Sequence, residues 1–86
     1  MQEVTELKDL DFTKREVREQ FIRCNASNIY VGKNVDDEEV IVMLDQGKGM
    51  LVKTIHKEKP MWYEVVEYDN LGISQGVTYE PVNINN

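Results

Sequence analysis

Between Ile29 and Tyr79 the chain is written as short runs of β-branched and aromatic residues, each closed by turn-forming residues. The runs are Ile29-Tyr-Val31, Val40-Ile-Val-Met-Leu44, Met50-Leu-Val-Lys-Thr-Ile-His56, Met61-Trp-Tyr-Glu-Val-Val-Glu-Tyr68 and Ile73 to Tyr79. Runs of this length and composition form strands, because branched and aromatic side chains fit a pleated, half-buried surface. The links Asp45–Gly49, Lys57–Pro60 and Asp69–Gly72 are each short, which favours antiparallel neighbours over crossovers. Asp69-Asn-Leu-Gly72 reads as a type I turn closed by a glycine bulge.

Upstream of these runs the period changes. Asp11-Phe-Thr-Lys-Arg-Glu-Val17 holds the elements of a helix start: Thr13 as N-cap, Glu16 completing a capping box, and Phe12 with Val17 as a hydrophobic staple. Val17, Phe21 and Cys24 follow at steps of four and three, which places them on one helical face, with Lys14, Arg15, Arg18 and Glu19 largely on the others. Asn25 to Asn28 supplies residues that tolerate a left-handed C-cap. The expected fold is α+β: one N-terminal helix (about 13–25), then a four- or five-stranded antiparallel β-meander, with curling into a half-barrel as one way to close it.

At 86 residues the chain is expected to be a single domain over 1–86, with 1–11 and 83–86 poorly ordered. So small a chain has one thin core and little room for an enclosed pocket. No apolar run reaches the length of a membrane helix, the first residues lack a signal pattern, and Cys24 is the single cysteine, all of which fit a cytoplasmic protein. The net charge of −6 is blocked: −3 over 1–11, +3 over 12–33, −5 over 34–45, +3 over 46–59 and −4 over 60–86. Such blocks can make patches of both signs on the folded surface.

Few residues invite chemistry. Gly47-Lys48-Gly49 lacks the upstream glycine of a phosphate-binding loop and precedes a strand where such a loop precedes a helix, so its glycines are read as hairpin residues with positive φ. His56 is the only histidine, without the ligand company of a zinc site or a nucleophile, and is expected at a strand edge. Cys24 is expected to be a small buried hydrophobe. Asp36-Asp-Glu-Glu39 lacks the alternating ligands and central glycine of a calcium loop. Glu64 and Glu67 fall on opposite strand faces and make no acid–base pair. No catalytic residue, metal site, cofactor or small-molecule ligand is therefore expected.

The apolar pattern is more informative. In Met61–Tyr68, Trp62, Val66 and Tyr68 share one face, with Met61, Tyr63 and Val65 on the other, while Val40–Leu44 is apolar on both faces. A sheet apolar on both sides needs two covers, and the sequence offers one helix. The second cover would be the N-terminal segment with Val4, Leu7 and Leu10, a curl of the sheet, or another protein chain. The expected function is that of a small non-enzymatic protein-binding regulator or inhibitor. Its partner would be a larger protein or a second copy, bound through Trp62, Tyr63 and Tyr68 with the acids Asp36, Asp37, Glu38 and Glu39. A phage or mobile-element product acting on a nucleic-acid enzyme would have this character. The alternative is a single-stranded nucleic-acid-binding module, with Arg15, Arg18, Arg23, Lys53, Lys57 and Lys59 on phosphates and aromatics of the Lys53–Tyr63 segment stacking on bases.

Overall fold

A computed structural model of the chain describes residues 3–4 and 7–82, so the expectation for 83–86 lies outside the described residues. The elements are β1 (Glu3–Val4), a 3-10 turn (Leu7–Asp9), α1 (Arg15–Cys24), β2 (Asn28–Lys33), β3 (Glu39–Asp45), β4 (Gly49–Ile55), β5 (Trp62–Tyr68) and β6 (Ser74–Pro81). Strands β2 to β6 form the expected antiparallel meander in sequence order, and they do not close into a barrel. β1 adds a parallel pair along β2, Glu3 beside Tyr30 and Val4 beside Val31, a non-local pairing that two residues of sequence do not announce.

The turns follow the chemistry of their residues. Asp69 N donates to Ile73 O at 3.0 Å, Gly72 N donates to Asp69 O at 3.0 Å, and Gly72 takes φ +78°, which is the turn and bulge expected there. Gly47 and Gly49 have φ of +92° and +130°, as hairpin residues should. At Gly49 the need is absolute, because a Cβ would collide with the carbonyl oxygen of Tyr68. The turn from β2 to β3 is built on Asn34, whose Oδ1 accepts from the amides of Asp36 and Glu38, with Asp37 in the left-handed region at φ +65°.

The helix departs from expectation at both ends. It starts after Lys14, and no side chain caps it. Thr13 is not the N-cap; its amide and its hydroxyl both donate to the Asp11 carboxylate, one residue before the Lys14 N-cap. The turn closed on Asp11 by the Thr13 amide holds Thr13 ahead of the helix, whose first residue is Arg15. The C-cap Asn25 is extended, with φ −121°, and satisfies the helix through its side chain, which donates to Phe21 O at 2.9 Å. The buried face centres on Phe21 and Ile22, and Cys24 is exposed, contrary to the expected Val17–Phe21–Cys24 stripe. The helix is turned so that Arg18, expected to point outward, lies against the sheet.

One side of the sheet and this helix make the core. Tyr30, Val40, Val42, Leu44, Met50 and Val52 pack with Phe21, Ile22 and Leu7, and the partly buried Leu10, Phe12 and Tyr68 close its margin. Phe12 and Phe21 meet edge to face at 5.3 Å, as do Phe21 and Tyr30 at 5.2 Å. Leu7 and Leu10 thus serve the helix side, and do not cover the opposite face.

Candidate interaction surface

The meander register sorts every strand residue to the helix face or to the outer face. On the outer face Ile29 lies opposite Met43, Met43 opposite Leu51 and Leu51 opposite Glu67; in the next row come Val31, Ile41, Lys53, Val65 and Thr78. Ile29 and Val31 are 42% and 39% exposed, whereas Val65, toward β6, is 4% exposed; the helix packs on the opposite face. Ile29, Met43 and Leu51 contribute to an open depression of about 620 Å³, whose lining includes the charged Asp45, Lys48 and Glu67. Apolar side chains with charged neighbours are the usual build of a protein interface.

Lys53 crosses this face without leaving a free charge. Its Nζ lies 2.9 Å from Glu80 Oε1, and the ammonium stands 6.0 Å from the Tyr63 ring centre. Neutralised in place, the pair lowers the cost of dehydrating this part of the face.

The helix face is open along β6, where Val77 is 47% exposed, and at the end that carries Trp62. There Trp62 and Tyr79, 42% and 55% exposed, line a depression of about 440 Å³ with His56 and Lys59. His56 organises the loop from β4 to β5, because its Nδ1 accepts from the amides of Glu58 and Lys59 at 3.1 and 3.2 Å. Its ring also tilts against Tyr79 at 5.7 Å. A neighbouring depression joins His56 to Asp36, Glu38, Glu58 and Glu64, and Lys57 Nζ reaches Glu38 at 3.6 Å.

The residues expected to form one site are therefore divided. Trp62 and the run Asp36 to Glu39 are brought to the same end of the sheet, whereas Tyr63 lies on the outer face. Tyr68 is half-buried beneath Arg18, whose guanidinium stands 4.4 Å from its ring centre. Burial pushes the Tyr68 hydroxyl up from its ordinary pKa, a shift that the Arg18 charge opposes and Glu64 adds to. Arg18 also donates from Nε to Gly72 O and from a terminal nitrogen to Phe12 O, both at 2.8 Å, and so latches the helix to the turn between β5 and β6. Arg15 and Arg23 both reach Glu19, at 3.2 and 2.9 Å.

Sequence reasoning did not single out Ile29, Val31, Met43 and Leu51, although the two-faced apolarity of Val40–Leu44 pointed to their surface. Among the described residues no group of three or more His, Cys, Asp or Glu is placed to hold a metal ion, and no helix is long and apolar enough to cross a membrane. Compared with protein-family models, curated proteins and solved structures, the chain matches none.

Proposed function

We propose that the chain is a non-enzymatic protein-binding regulator or inhibitor that applies the outer face of its sheet to a larger protein. The observation carrying this reading is the depression lined by the apolar Ile29, Met43 and Leu51 together with the charged Asp45, Lys48 and Glu67, beside the exposed Ile29 and Val31. The acid–aromatic end with Trp62 and Asp36 to Glu39 is a second contact region in this reading. Against nucleic acid as the ligand weigh the internal partners of Arg18 and Lys53 and the acids around His56, which repel phosphate.

The test is affinity capture from lysate with and without nuclease, using wild-type protein beside Ile29→Glu and Trp62→Ala. A defined protein that survives nuclease and is lost with Ile29→Glu is the expected result. Capture that disappears with nuclease treatment would overturn the reading in favour of nucleic acid.

A further inference from the structure

The outermost strand of the meander raises a separate question, because an edge strand exposes a row of unpaired backbone groups that natural proteins usually protect. Which groups of β6 point outward follows from one hydrogen bond: Val82 N donates to Met61 O at 2.8 Å. In an antiparallel ladder this direction alternates residue by residue, so Glu80 and Thr78 turn their amides and carbonyls toward β5 while Val77, Tyr79 and Pro81 turn theirs away. Pro81 obeys the same parity, for it stands where an N–H would face away from the sheet. Val77 and Tyr79 have amides, and both side chains are about half exposed, at 47% and 55%.

The strand carries a bulge against Glu67 and Tyr68 and a proline at its end, but the stretch from Val77 to Tyr79 between them has neither. Its sequence, Ser74-Gln-Gly-Val-Thr-Tyr-Glu-Pro81, has no lysine or arginine, and its one charge, Glu80, is engaged by Lys53 on the outer face. The opposite edge of the sheet differs, since β1 lies along part of β2.

We infer that β6 is a dimerisation edge, on which a second copy of this chain adds its own β6 antiparallel about a two-fold axis centred on Thr78. That register pairs Val77 with Tyr79 of the other copy at both symmetry-related positions. It forms about four inter-chain backbone hydrogen bonds from the outward groups. On the helix face it sets a β-branched residue beside an aromatic ring twice, a favourable cross-strand pair, and at the axis it sets threonine beside threonine. On the outer face Glu80 falls opposite Gly76, around which there is open space, so no like charges oppose one another. Moving the centre to Tyr79 would place an outward amide need on Pro81, which has none, so the proline selects against that alternative. The contact is isologous and consumes the same edge in both copies, so it closes at two chains. It uses a surface other than the outer face, and the proposed function does not depend on it.

The experiment is sedimentation equilibrium on the full chain from micromolar to millimolar concentration, with amide exchange by NMR at both extremes. The expected mass rises from 10.0 kDa toward twice that value. The Val77 and Tyr79 amides should slow by about tenfold or more with concentration, while those of Thr78 and Glu80 are protected throughout. Val77→Lys, an exposed change that spares the β5 ladder, and Tyr79→Pro, which deletes one outward donor, should each restore the monomer. A mass that stays at 10.0 kDa at every concentration overturns the inference. So does a dimer that survives both variants but is lost in Ile29→Glu, a result that would make the outer face the self-association surface instead.

Discussion

The two faces of this sheet are made of similar residues and are covered unequally. On the helix face Tyr30, Val42 and Val52 are buried under Phe21 and Ile22; on the outer face Ile29, Val31 and Met43, their immediate neighbours in the same strands, lie away from the helix. The difference lies in what the chain has to put over them. Composition alone does not separate core from interface, because an apolar side chain gains its stabilisation only where something excludes water from it.

Substitutions can break this comparison, and the largest effect belongs to the covered side. Phe21→Ala removes a ring that contacts both Phe12 and Tyr30, and should cost about 3–5 kcal/mol in denaturant unfolding. A loss under about 1 kcal/mol would mean that the helix is not the true cover. Arg18→Met keeps the bulk of the side chain but removes two donors to backbone carbonyls and the cation over Tyr68. It should cost about 2–3 kcal/mol by the same measurement.

Tyr68 sharpens the comparison through pH. Its folded-state pKa is raised, chiefly by burial, so the unfolded chain ionises first as pH rises. The contribution is fully present below the ordinary tyrosine range and is lost as pH rises through the folded value. Wild-type stability should therefore fall faster than that of Tyr68→Phe at strongly alkaline pH, and parallel curves would show that the hydroxyl is solvated. The smallest effect belongs to the open side. Val31→Thr should change stability by no more than about 0.5 kcal/mol while weakening partner capture. A large loss would reveal that the outer face is covered within the chain itself.

Much of the fold was legible in the residues. Five β-rich runs, glycines at the turns and short links lead to the meander, because each depends on local backbone preference. The helix was legible in position but not in rotation. Val17, Phe21 and Cys24 satisfy helical spacing as well as Phe21 and Ile22 do, and only the partner surface chooses between them. The capping box failed because the helix starts one residue late, after a turn in which Thr13 donates to Asp11, a choice that depends on geometry and not on the residues alone. Asp11 itself has its carboxyl pKa lowered by the Thr13 hydroxyl and amide. The expected aromatic site failed to converge, since strand alternation separates Tyr63 from Trp62 and Arg18 claims Tyr68.

What the sequence by itself determined is the order of elements, the antiparallel sense of the meander, the turns at Gly47, Gly49 and Gly72, and an excess of apolar sheet surface over available cover. What only the tertiary structure decided is which face goes uncovered, that Arg18 is a latch, that β1 joins the sheet in parallel, and that β6 ends it with outward amides at Val77 and Tyr79. The reason is range. Local choices are set by backbone sterics over a few residues, whereas Arg18 meets Gly72 across 54 positions of chain, a contact that exists only once the helix has packed.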